Sequence, residues 1–284
     1  GTILNIILDP IFIFDLESLG GFGFGLGIAG AAMATVISQV VVFIVFIFML
    51  FFKNHSYISF NLSDFTFSTD IIWDIIKVGL PASLSMIVMA VGQGVFNKIL
   101  VHISVNTVAA YQVAGRLDML VFLPIFSIAA SLTTLVGMFY GAKEYGALRY
   151  IIKYGIFSAL LITIISSTIV YTFAGHVVRF FTDDASIVII AVNFLQIFAF
   201  AYPFISVGIT TGRVLQGLGK GLPVLIITIV RVLGVSAPLA LFFVFIMDKT
   251  VEWVWYSMML STIVAFGIGL TWLISTLKTL PASR

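Results

Sequence analysis

From Gly27 to Phe52 the chain carries no charged residue, and the second half of that stretch reads VVVFIVFIFMLFF. A helix rising 1.5 Å per residue needs about 20 mainly apolar residues to cross a hydrocarbon core of roughly 30 Å. Charge-free runs of similar size recur at 78–97, 119–142, 154–175, 187–212 and 253–277, and the stretch 222–247 is interrupted only by Arg231. With the apolar segment 1–14, this makes eight segments, seven of them long enough to span. Strict alternation of apolar and polar residues is absent, so no strand would present a lumen face and a β-barrel is excluded. The expected fold is an all-α polytopic membrane bundle.

Composition agrees. Hydrophobic residues make up 61% of the 284, charged residues only 9%, and mean hydropathy is +1.20. A soluble domain carries about 25% charged residues. The net charge of +2 has no basic stripe behind it, which argues against nucleic-acid binding, and the absence of Cys removes thiolate chemistry. The chain opens apolar, without Met or a basic n-region, and reads as a helix entered in mid-span.

Lys and Arg are distributed unevenly. The loops after the second, fourth and sixth segments, with the C-terminus, hold Lys53, Lys77, Lys143, Arg149, Lys153, Arg213, Lys220, Lys278 and Arg284, whereas the opposite loops hold Lys98, Arg179 and Lys249. The positive-inside rule then predicts a cytoplasmic C-terminus in a cell (plasma) membrane protein, with Asp15 and Glu17 outside.

A weak internal repeat is visible. NIILDPIFIF at 5–14 and RVLGVSAPLALFF at 231–243 each place a Pro near the outer end of an apolar segment. Each is followed by a cluster of small and hydroxyl residues, AAMATVIS at 31–38 and MMLSTIVA at 258–265. The spacing implies that roughly 160 residues would precede residue 1 in a parent of about 450 residues built from two six-helix halves, an arrangement characteristic of transporters.

Several motifs together resemble the multidrug and toxic compound extrusion (MATE) family. They are Asn5-Ile-Ile-Leu-Asp9-Pro10, Gly27-Ile-Ala-Gly30-Ala-Ala-Met-Ala-Thr35-Val-Ile-Ser38 and Gly79-Leu-Pro81 opening the next long segment. Further on come Ala110-Tyr-Gln-Val-Ala-Gly-Arg116-Leu-Asp118 and Leu135-Val-Gly137-Met-Phe-Tyr-Gly141. The resemblance implies the truncated fifth helix and the sixth helix of a first lobe at 1–52, a cytoplasmic linker and helix start at 53–77, and a six-helix second lobe at 78–284. It also implies a secondary antiporter, not an enzyme, that exports amphiphilic or cationic organic compounds in exchange for H⁺ or Na⁺ by alternating access. Its partners would be small organic substrates, the bilayer and the missing N-terminal helices, with no cofactor besides the coupling ion. A lipid-linked oligosaccharide flippase of the same superfamily is the nearest alternative, kept open by Arg116 and Arg231.

Asp9 is the first candidate site residue. A carboxylate in a membrane helix is costly, Asn5 lies one turn earlier on the same face, and Pro10 withdraws a backbone donor beside it. Carboxylate, amide oxygen and loosened carbonyls form an all-oxygen nook suited to a proton or Na⁺. The resemblance adds Thr35, and implies that Asn5, Asp9 and Thr35 form the first-lobe cation site. A surface position for Asp9 is the plainer reading.

Asp118 is the second intramembrane carboxylate. Arg116 lies two residues away, so the two side chains point about 200° apart and cannot pair within the helix. Asp118 either faces a cleft or forms a structural ion pair with Arg116 or Arg231. Ser85, Met89, Gln93 and Asn97 share one helix face at i, i+4 spacing, either lining a cleft or bonding between helices. Na⁺-coupled relatives place a Glu near the Met89 position and an Asp on the tenth helix, where this chain has only Asn193 and Gln196. That difference argues against a second-lobe cation site.

Gly25-Leu-Gly27-Ile-Ala-Gly30 matches a dinucleotide-binding string, but no strand precedes it and an apolar span follows. Asn54-His-Ser56 and Asn61-Leu-Ser63 match the glycosylation pattern on the predicted cytoplasmic side. His55, His102 and His176 have no i, i+4 mate, so neither a metal site nor a His–Ser pair is expected.

Overall fold

The computed structural model describes residues 1–15, 23–52 and 66–281, and their regular structure is entirely helical. Lys53, Arg284, both glycosylation patterns and most of the 53–77 linker lie outside the described residues. The chain divides into two compact units, Gly1–Phe67 and Ser68–Arg284.

The first unit holds α1 (Thr2–Ile13) and α2 (Gly27–Phe52). The carbonyls at the end of α1 lack helical partners, and the returning chain supplies them. Phe24 donates to the Ile11 carbonyl, Gly25 to Phe14 and Leu26 to Phe12, at 2.8, 2.6 and 3.0 Å. Gly25 and Gly27 both take positive φ in this return, at 63° and 54°. A Cβ on Gly30 would lie 2.2 Å from the Phe12 carbonyl oxygen, so only glycine lets α2 approach α1 this closely. The glycine string thus has a turn-and-packing role.

The second unit contains α3 (Thr69–Ile103), α4 (Val105–Gly141), α5 (Tyr145–Arg179), α6 (Ala185–Gly217), α7 (Leu222–Ile229), α8 (Ala237–Leu241) and α9 (Val251–Lys278). The turns at Val230–Ser236 and Phe242–Ile246 are π-helical, and they join α7 and α8 into one span from Leu222 to Ile246. Among the described residues, seven helices are long and apolar enough to cross a membrane. Ile87, Phe126, Phe157 and Ile165 are among many large apolar side chains on the outer surface, which suits lipid and not water.

Helix ends depart from the apolar windows. α3 begins at Thr69, capped by the Ser68 side chain, so Pro81 lies within the helix and does not open it. Asp70, Asp74 and Lys77 end the apolar run without ending the helix: Asp70 lies in the first turn, where an acidic side chain suits the helix N-terminus, and Lys77 is a good helix former. The two proline helices also differ. α1 stays α-helical through Pro10, whereas the span containing Pro238 has π turns on both sides of α8. Pro238 supplies no N–H to the preceding turn, and a widened turn is one way for the backbone to absorb that loss.

α6 packs against α4, α5 and α9 and carries the core. Trp255, Tyr202 and Phe194 are its largest fully buried side chains. Phe194 stands edge-on to Trp255 at 4.8 Å and stacks on Phe198 at 4.2 Å, while Tyr111 of α4 stacks on Trp255 at 5.8 Å. This aromatic block forms one wall of the cavity described below.

Candidate functional sites

In the first unit α1 and α2 bring Asn5, Asp9 and Thr35 together. Asn5 Nδ2 donates to Asp9 Oδ1 at 3.2 Å and to Thr35 Oγ1 at 3.4 Å. The Thr35 hydroxyl proton is directed to the Ala31 carbonyl at 2.9 Å, leaving its lone pairs for Asn5. Asn5 and Asp9 are half-buried. The amide in this orientation supports the carboxylate directly. A metal cation in the same place would need the amide turned so that Oδ1 joins the Asp9 and Thr35 oxygens, whereas a proton needs no such turn.

In the second unit a cavity of about 520 Å³ opens between α3, α4, α6, α9 and the π turn at Val230–Ser236. Asp118 lines it, and the Asp118 carboxylate accepts a hydrogen bond from the Tyr202 hydroxyl. Its partner is thus a tyrosine on α6, not either arginine. Arg231 lines the same cavity from the π turn. Tyr111 of α4 lines the same cavity. Arg116 is exposed on another face of α4 and does not line the cavity.

Of the four-residue stripe on α3, Met89 and Gln93 line the cavity. Ser85 is buried and donates to the Pro81 carbonyl at 2.8 Å, while Asn97 accepts from Gln112 of α4 at 3.4 Å. The stripe therefore divides between cavity lining, self-satisfaction and an inter-helix bond. Tyr111 lies two turns from Asp118 on the same face, a spacing that could have singled it out. Nothing in the sequence ties Tyr202 to Asp118 across 84 residues. Asn193, one of the two polar residues read on this helix with Gln196, buries its Oδ1 with no partner among the described residues.

A family described as MatE matches residues 81–242, more than half of the chain and all of it within the second unit. The chain belongs to this family. It is 29% identical over 238 residues to the probable multidrug resistance protein NorM of Thermotoga maritima, covering 84% of this chain and 50% of that protein. It is 32% identical over 218 residues to the multidrug export protein MepA of Staphylococcus aureus, covering 77% of this chain and 46% of that one. The chain therefore spans about half the length of the curated relatives it matches. Among solved structures, a MATE protein in the straight conformation aligns with a TM-score of 0.90 at 32% identity, over 99% of this chain and 61% of that one. Family membership and seven membrane-length helices make this a multi-pass membrane protein of a transporter family, not an enzyme family.

Proposed function

We propose that this chain forms part of a secondary antiporter that exports amphiphilic or cationic organic compounds in exchange for H⁺ or Na⁺, alternating access between two six-helix lobes. The observation that carries this reading is the Asn5–Asp9–Thr35 cluster, a carboxylate held in a short apolar helix beside an amide and a hydroxyl. Asp9 loads the coupling ion, Asn5 orients the carboxylate, and Thr35 ties the pair to the neighbouring helix. The cavity in the second unit is of a size that accepts drug-like molecules, roughly 300–1,000 Å³, and its Asp118 offers a negative group to an organic cation. The names of NorM and MepA support small organic substrates, and they favour export over the flippase alternative.

The test is efflux of ethidium from proteoliposomes containing a two-lobe transporter that includes this chain. Efflux is expected only under an imposed proton or sodium gradient and stops when an ionophore dissipates it. Efflux indifferent to both gradients would refute antiport.

A further inference from the structure

We propose that a groove between α4 and α5 binds an anionic phospholipid, with an acyl chain along the groove and the phosphate at Lys143 and Lys153. The groove encloses about 340 Å³ and shares no lining residue with the cavity described above. Ser127, Ser131 and Leu135 of α4 face Ile151, Tyr154 and Ser158 of α5 across it. Ser127, Ser131 and Tyr154 are exposed, so the groove opens on the outer surface of the unit. Its floor is Gly155 against Leu132, both buried; a Cβ on Gly155 would lie 2.6 Å from Leu132 Cδ1. The Ser127 and Ser131 hydroxyls donate to the carbonyls of Leu123 and Ser127 at 3.1 and 3.0 Å. With those protons turned back into the helix, the walls suit a hydrocarbon chain.

Depth selects a lipid. α4 has 37 residues and α5 has 35, so at 1.5 Å per residue they are about 55 and 52 Å long. A hydrocarbon core of about 30 Å, centred on them, leaves about 11–12 Å of helix at each end among headgroups. Leu135 and Ile151 lie about 9 Å from the ends that meet at the α4–α5 turn, and Ser127 and Ser158 about 20–21 Å. The groove therefore starts at the hydrocarbon boundary and stops short of the midplane, the depth of an acyl chain in one leaflet. By the charge bias of the loops, that leaflet is the cytoplasmic one.

Charge selects the headgroup. Only Ala142, Lys143 and Glu144 link the two helices, and Lys143 is exposed there with φ at 59°. Lys153 is exposed one residue before Tyr154, about 12 Å from the helix end, and its long stem lets the amine reach the headgroup layer. Tyr150 and Tyr154 stack at 6.3 Å, both exposed, at the level where tyrosine collects in membranes. Arg149 is turned to the carbonyls ending α9, which leaves the two lysines for a ligand, against Glu144 as the acid of this end. A zwitterionic headgroup would bring its own cation to this positive rim, whereas an anionic one brings none.

The chain has no Cys, so Ser127→Cys carries a single bimane label at the deep end of the groove. Phe157→Cys, exposed on α5 outside the groove lining, reports ordinary lipid contact. The labelled 284-residue chain is placed in phosphatidylcholine vesicles containing rising fractions of phosphatidylglycerol or phosphatidylcholine that bear a mid-chain nitroxide quencher. At Ser127 the glycerol lipid is expected to reach half-quenching at about fivefold lower fraction, the equivalent of about 1 kcal/mol for one basic residue near an anionic lipid. At Phe157 the two lipids should quench alike. Lys143→Gln with Lys153→Gln should bring the Ser127 ratio toward one, and Ser131→Phe, which fills the groove, should weaken quenching there by both lipids. Unchanged quenching at Phe157 shows that each variant is folded and inserted. Equal quenching by the two lipids at Ser127, a preference that survives loss of both lysines, or the same preference at Phe157 overturns the proposal.

Discussion

Tyr202→Phe removes one oxygen from the core of the second unit and leaves the Asp118 carboxylate without its donor. Tyr202 is fully buried, and its ring stands edge-on to Phe122 at 5.3 Å, so Phe keeps the shape and the change isolates the hydroxyl. Two magnitudes compete. A hydrogen bond to a charged group contributes about 1.5–3 kcal/mol, whereas inter-helix bonds in membranes average about 0.6 kcal/mol because the unfolded helices find other partners. Asp118 lines a cavity and regains some solvation once unpaired, which places the cost between them, at about 1–2 kcal/mol. The assay is reversible denaturant unfolding in mixed micelles as a double-mutant cycle with Asp118→Leu. The single changes should each destabilise. The double change should recover most of the loss, because no buried polar group then lacks a partner. Single effects within about 0.3 kcal/mol of zero, or strictly additive effects, would refute the bond as the reason Asp118 is tolerated in the bundle.

Gly30→Ala should push α2 off the Phe12 carbonyl of α1, separate Asn5 from Thr35 and lower both stability and ion-driven efflux; unchanged efflux would show that the close approach is dispensable. Arg149 donates to the carbonyls of Leu277, Leu280 and Pro281 at 3.4, 3.1 and 3.0 Å, so Arg149→Ala should cost about 1 kcal/mol and speed hydrogen exchange in the last turn of α9. The Ser186 hydroxyl and the backbone N–H groups of Ile187 and Ser186 donate to the Asp184 carboxylate, capping α6, and these hydrogen bonds, the hydroxyl's foremost, hold its carboxyl below the usual range. Its contribution is present above the ordinary carboxylate pKa and is lost as pH falls through the lowered folded value. Asp184→Ala should therefore lower thermal stability at pH 7 and converge with the unaltered chain in strong acid. Residues 1–284 reconstituted alone should show no ion-driven ethidium efflux, since they span about half the length of the relatives and alternating access needs two moving bodies.

The spans were legible because a charge-free run such as Gly27–Phe52 has one physical solution. Their ends were not: Asp70 and Lys77 stop the apolar pattern, yet a helix ignores that boundary. Asn5 and Asp9 could be paired from i, i+4 spacing, and Thr35 joined them through the family resemblance. The partner of Asp118 could not be read, since Tyr202 sits in a largely apolar stretch of α6 with no periodic signal that aims it at α4. Pro238 was legible as a proline near the outer end of its segment, but not the π-helical turn before it, which holds Arg231 at the cavity.

The most direct test measures substrate affinity and gradient-driven efflux on one preparation of a two-lobe transporter that includes this chain, with and without Asp9→Asn. The account predicts that substrate still binds while efflux no longer responds to a proton or sodium gradient. Gradient-driven efflux that survives Asp9→Asn unchanged would contradict it, and would leave Asp118 as the carboxylate in this chain to carry the coupling.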